Sequence, residues 1–225
     1  MIAREINAVH QTSPGRLMLC LRFGSSRLTI VYGSGSDLGE MNYNPRKAAQ
    51  VIAYFALRSG KRTIDVIKAI KLVYLGDRES IALWGEPILV EPRVALPFGP
   101  VNHLTYAHIK GEKEDSEGWS EFLEDRKVND LRLREDVTYH DLDELSEADV
   151  EALSAVWDRV GFMKPMALSM WTHKDGNVPE WRDPDGSSRP IPLARIMREV
   201  GLAEPAQSAV EVEQRRSLAD ILGSD

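Results

Sequence analysis

The chain has 225 residues, 43% hydrophobic and 28% charged, with a formal net charge of −7, the composition of a water-soluble globular protein with one extended domain or two small ones. That charge argues against non-specific nucleic-acid binding by the whole chain, and the single cysteine, Cys20, excludes an internal disulfide or a cysteine-cluster metal site. With no run of about 18 apolar residues and no signal-peptide pattern, the chain reads as cytoplasmic, without a membrane partner.

Residues 1–40 differ from the rest. Alternation in Arg16–Phe23 and Arg27–Tyr32 predicts two weak strands around Gly24-Ser25-Ser26. A flexible Gly33-Ser34-Gly35-Ser36 follows, then Met41. Two readings stand: an added hairpin, or translated upstream sequence with Met41 as the natural start.

From Asn44 the signals sharpen. Asn44 suits a helix cap and Pro45 the first helical position. Ala48, Val51, Ile52, Phe55 and Ala56 form an apolar face, and Ser59-Gly60 ends this short amphipathic helix. Asp65–Trp84 is the predicted central helix, about 30 Å long. Val66, Ile70, Val73, Tyr74, Ile81 and Trp84 fall on one arc, and Leu72, Leu75, Ala82 and Leu83 on a roughly opposite one. Two apolar arcs imply a helix packed between neighbours. Asp77 interrupts the first arc, with Lys71 and Arg78 at its edge. A buried carboxylate needs a cationic or hydrogen-bonding partner. Asp77 is therefore a binding determinant or, more ordinarily, a structural anchor, whose loss as Asp77→Ala should cost roughly 2–4 kcal/mol.

Beyond Gly85, Pro87, Pro92 and Pro97 predict extended or turned chain to Phe98. Gly99-Pro100 is expected to open a helix running to about Lys110 and ended by Gly111. Glu112–Gly118 is a charged loop, and Trp119, Phe122 and Leu123 anchor the turn after it. Alternation at Leu131 and Leu133, then at Val137 and Tyr139, predicts a small β-hairpin lying on the helices. Ser146 caps the next helix with Asp149 three residues on and Leu145 stapled to Val150; its inner face is Val150, Leu153, Trp157 and Val160, and Gly161 stops it. A short helix spans Pro165–His173, and 176–190 is loop. The last clear helix starts at Pro192, with Leu193, Ile196, Met197 and Val200 at i, i+3, i+4 and i+7. Residues 202–225 read as a flexible tail with a weak helical pattern at Leu218, Ile221 and Leu222. The fold class is α+β: a mainly helical core around a central buried helix, with a small hairpin.

Chemistry is sparse. The five histidines are scattered, and His103 and His108 miss the i, i+4 spacing of paired ligands. No phosphate-cradling loop or nucleophile elbow occurs. Ser169, His173 and Asp175 are close in sequence, but triads assemble in space, so their proximity carries little. The residues imply no cofactor and no metal. Residues 43–78 balance at +6 and residues 112–151 at −11, an asymmetry that can steer a charged partner. No recognition helix accompanies the basic stretch, so nucleic acid is not the expected partner.

The order of motifs resembles the Panacea domain of SocA-like antitoxins. Ile70-Lys71-Leu72-Val73-Tyr74-Leu75-Gly76-Asp77-Arg78 is similar to its KLLYLADR-type signature, with Gly76 where the family usually has Ala. Gly85-Glu86-Pro87-Ile88 and Val94-Ala95-Leu96-Pro97-Phe98-Gly99-Pro100-Val101 resemble the blocks that follow, Leu145-Ser146 with Trp157 and Gly161 the next helix, and Leu168-Ser169, Thr172-His173 and Glu180-Trp181 the closing motif. The resemblance covers about 42–201; the first 40 residues lie outside the family pattern. It implies a non-enzymatic, prokaryotic or phage-associated protein that neutralises a cognate protein toxin by contact, or an adaptor that delivers its toxin to an ATP-dependent protease through the tail. The implied motif residues, as scaffold or binding groups, are Lys71, Leu72, Tyr74, Asp77, Arg78, Gly99, Pro100, Val101, His173 and Trp181, with Asp77 and Arg78 as a possible core polar pair. Lys61 and Arg62, entering the central helix, are the candidate steering residues, whose charge reversal should slow association without disturbing the fold. A hydrolase using Asp77 and His173 is the remaining alternative.

Overall fold

The computed structural model describes residues 18–23, 26–31, 43–113 and 118–222, with the chain divided into two compact units at residue 42. In the first unit, β1 (Met18–Phe23) and β2 (Ser26–Val31) pair antiparallel from Met18↔Val31 to Phe23↔Ser26, where alternation predicted two strands. Gly33–Ser36 and Met41 lie outside the described residues.

The second unit starts with α1 (Pro45–Arg58). The Asn44 side chain accepts from Lys47 N at 2.8 Å, and Pro45 is the first residue. Every residue from Ala48 to Ala56 is buried, more than one face of an amphipathic helix. The polar member of that run is satisfied: Gln50 donates to the Asp143 carboxylate at 2.7 Å and accepts from Glu144 N at 2.8 Å.

Strand β3 (Thr63–Asp65) feeds α2 (Val66–Trp84), whose N-terminus is capped by Asp65. The first arc is buried through Ile81, as are Leu72 and Leu75 of the second. The two-arc expectation fails in the last turn, where Leu83 and Trp84 are exposed. There the chain reverses at Gly85, φ 75°, and Ser80 Oγ donates to the Glu86 carbonyl. Gly76 has a packing role: a Cβ on it would stand 2.6 Å from Leu153 Cδ2.

After α2, β4 (Arg93–Leu96) pairs antiparallel with β5 (Gly99–Asn102), Val94 opposite Val101, and β7 (Arg189–Pro190) adds to the other edge of β4. The helix expected to open at Gly99-Pro100 is thus corrected. Gly99 has φ +100°, the left-handed side, and Gly99–Asn102 is the second strand of a hairpin. Helix α3 begins only at His103 and runs to Lys110, with Gly111 as its stop. The expected hairpin near 131–139 is also corrected. Strand β6 (Asp130–Arg132) pairs with β3, Leu131 opposite Ile64, while Tyr139–Asp141 is a 3-10 turn capped by Thr138 and Asp141. Alternation specifies the buried face, and Leu131, Leu133 and Val137 are buried; it does not specify the pairing strand.

Helix α4 (Glu147–Val160) carries the expected Ser146/Asp149 capping box. Its inner face is rotated from the expected one: Val150 is 38% exposed, and Asp149, Ala152, Leu153, Val156 and Val160 are buried. Small Ala152 and the cleft over Gly76 let this face approach α2, and Asp149 is paired with Lys47 at 2.9 Å. Helix α5 (Pro165–Thr172) packs on α2, and α6 (Leu193–Glu199) buries Leu193, Ile196 and Met197. Helix α7 (Pro205–Leu222) occupies most of the segment read as a tail; it lies on α6 and buries Ala209 and Val212. The class is α+β, with seven helices and small antiparallel sheets among the described residues. Among them, no helix is long and apolar enough to cross a membrane.

Candidate functional site

Helix α2 presents Lys71, Tyr74, Asp77 and Arg78 at spacings of three, three and one, close to one helical stripe. The structure brings this stripe against β4–β5 and the chain from His173 to Trp181, in three adjoining polar contacts.

The first surrounds Asp77, which is buried. Its Oδ1 accepts from Leu89 N at 2.8 Å; its Oδ2 accepts from Arg93 at 2.6 and 3.0 Å and from Asn102 Nδ2 at 2.9 Å. The cationic partner expected for Asp77 is therefore present, but it is Arg93. The Asp77–Arg78 pair is corrected, because Arg78 turns to Glu180. Beside Asp77 lies Glu91, which accepts from Leu104 N and Thr105 N at 2.7 and 2.9 Å and from the Thr105 hydroxyl. This remote carboxylate caps α3, and Asn102, at the cap position, makes no side-chain cap bond. Burial pushes the Glu91 carboxyl up to about 7, against the pull of its Thr105 bonds.

In the second, Glu180 is fully buried. Its Oε1 accepts from Tyr74 Oη at 2.9 Å and Arg78 Nε at 2.8 Å, and no described side chain partners its Oε2. Burial and Glu180 together push the Tyr74 phenol well above its ordinary value.

The third is built around Gly99. A Cβ there would stand 2.7 Å from Thr172 Oγ1 and 2.9 Å from both His173 Nε2 and Lys71 Nζ. Lys71 is buried and donates to the Pro100 carbonyl at 3.1 Å; burial pushes its amine down to about 7. His173 ends α5 and stacks on Trp181 at 4.4 Å, and the Trp181 indole donates to the Leu96 carbonyl at 3.0 Å. Burial, then the nearby Lys71, lower the His173 imidazole.

Of the residues singled out in the sequence, Lys71, Tyr74, Asp77, Arg78, Gly99, Pro100, His173 and Trp181 meet in these contacts. Leu72 and Val101 are core residues. Lys61 and Arg62 lie apart, before β3. Lys61 is exposed, whereas Arg62 has φ 56° and donates to the carbonyls of Arg134 and Glu135. Reversing Arg62 would therefore cost hydrogen bonds, contrary to the expectation that the fold would not notice. Ser169, His173 and Asp175 do not form a relay: Ser169 Oγ donates to the Phe98 carbonyl at 3.2 Å, and Asp175 is exposed. Nor is Asp77 a free base, since both its oxygens are occupied.

Sequence reasoning missed Arg93, Glu91 and Asn102, and had Glu180 only as a member of the closing motif. The available signal was two charges flanking Pro92 within the run from Ile88 to Leu96, which would be costly if buried unpaired. Their side-chain partners lie 11 to 106 positions away, beyond any local period. Residues 70–181 match the family model described as Antitoxin SocA-like, Panacea domain. No curated protein and no solved structure matches the chain.

Proposed function

Because the chain belongs to the SocA-like antitoxin family through its Panacea domain, we propose that it is the antitoxin of a toxin–antitoxin pair, neutralising a co-encoded protein toxin in the cytoplasm by direct binding. The family match carries the reading. The use of the polar side chains supports it: Asp77, Glu91, Glu180 and Lys71 are committed to internal bonds that tie α2 to β4–β5 and to the chain after α5. Neutralisation then acts by occupancy and not by chemistry. Occupancy protects a cell only when binding is tight relative to toxin concentration, so the dissociation constant is on the order of nanomolar, about −12 kcal/mol.

The test is to express the product of the adjacent gene alone and with this chain, and to titrate one purified protein with the other. The expected result is growth arrest by the neighbour alone, rescue on co-expression, and a tight complex. A neighbour that is harmless alone, or never co-purifies at low salt, overturns the reading. Rescue that requires an ATP-dependent protease and proceeds by toxin loss would make the chain an adaptor instead.

A further inference from the structure

The outer side of α5 has a different character from its inner side. Leu168, Ser169 and Thr172 are buried against the unit, while Met166 and Met170, one turn apart, are 57% and 67% exposed. Phe162, four residues before Met166, is 79% exposed, and Phe98, in the β4–β5 turn, is 76% exposed. The Ser169–Phe98 hydrogen bond fixes that turn beside the helix, three residues along from Met166. Met166 and Met170 on α5, Phe162 in the turn before it and Phe98 in the turn bonded to it all stand in solvent, more large apolar side chains than the singly scattered ones of an ordinary surface. Methionine's flexible, polarizable side chain suits a surface that adapts to a partner.

A lysine stands at each end of this stretch. Lys164, at the cap of α5, and Lys174, one turn beyond Met170, are exposed, and no carboxylate among the described residues pairs with either. No acidic residue occurs between Asp158 and Asp175. On a chain of net charge −7, residues 159–174 are thus an acid-free stretch, ended by Asp175, that carries an apolar face.

We infer that Phe98, Phe162, Met166 and Met170, bracketed by Lys164 and Lys174, form the surface on which the toxin docks, and that the toxin meets it with an apolar segment flanked by carboxylates. The inference rests on the antitoxin reading and adds where the contact lies. Apolar burial supplies the hold, so the methionines act on dissociation; the two lysines steer encounter, so they act on association rate.

The experiment titrates the purified adjacent-gene product into the full chain, with kinetics at two salt concentrations, for wild type, Met166→Glu/Met170→Glu, Lys164→Glu/Lys174→Glu and, as an exposed apolar control elsewhere, Val128→Glu. Circular dichroism checks that each variant is folded. The methionine pair should weaken binding at least a hundredfold, and the lysine pair should slow association about tenfold while flattening its salt dependence, with the control unchanged. If wild type binds and the methionine pair binds within threefold of it, the surface is wrong while the antitoxin reading stands. If wild type does not bind, both fall. Two further results overturn the inference by assigning the face elsewhere. One is a wild-type chain that sediments alone as a dimer split by the methionine pair, and the other is flotation with phosphatidylglycerol vesicles that the same pair abolishes.

Discussion

The inward stripe of α2 and the outward stripe of α5 lie in neighbouring helices and are opposite in construction. On α2, charged and hydroxyl side chains are buried and bonded to particular partners: Asp77 to Arg93, Leu89 N and Asn102, Tyr74 and Arg78 to Glu180, Lys71 to Pro100. On α5, apolar side chains stand in water with little to hold them. Buried polar groups are costly unless satisfied, so the first arrangement tolerates few substitutions. An exposed methionine tolerates many. The motif residues singled out in the sequence sit mostly in the first region, where a motif marks a scaffold without marking the partner it serves.

Asp77→Ala is the severest way to break this comparison. It strands the Arg93 guanidinium and the Asn102 amide in the core, and the expected loss is about 3–5 kcal/mol by chemical denaturation. An unchanged midpoint would mean that the inner stripe is no more constrained than the outer one. Gly99→Ala comes next. It forces a Cβ onto a φ of +100° and against Thr172, His173 and Lys71, and should cost about 2–3 kcal/mol. If it is neutral, the third contact is looser than its geometry.

The buried lysine makes a prediction in pH. The Lys71 amine is held at about 7, below its ordinary 10.5, so the folded state binds fewer protons than the unfolded one between those values. Stability should therefore rise with pH in that window, by about 2 kcal/mol from pH 7 to 9, and Lys71→Met should remove the rise. Glu91 acts with the opposite sign at lower pH: raised from 4.5 to about 7, it takes stability away between those values and is spent above pH 8. The raised phenols of Tyr43 and Tyr74 act only above pH 10, and the Lys68 amine, lowered by burial, acts with the same sign as Lys71, so Lys71→Met tests the share that belongs to Lys71. A flat denaturation midpoint from pH 7 to 9 would show Lys71 charged throughout. The smallest effect belongs to the outer stripe. Met166→Glu/Met170→Glu should change stability by no more than about 0.5 kcal/mol per site, so any loss of partner binding is not a loss of fold. A large drop in the thermal midpoint would place those methionines in the core.

The sequence by itself determined most of the helices, several of their caps and most of the core, although it read α7 as a tail and opened α3 four residues early. Asn44-Pro45 and the Ser146/Asp149 box are local chemistry between residues three apart, and the apolar repeats of Ala48–Ala56 and Leu193–Met197 are properties of a single helix. It also required that Asp77 have a partner, because the arc around it is apolar. Only the tertiary structure decided which partner. Arg93 reaches Asp77 because β4 returns past α2, and Glu180 reaches Tyr74 from 106 residues away. Likewise β6 pairs with β3 and not with its own neighbour, and Gly99 begins a strand and not a helix. In each case local pattern fixes which side is buried, while the hydrogen-bonding partner is chosen by what the rest of the chain brings to that side.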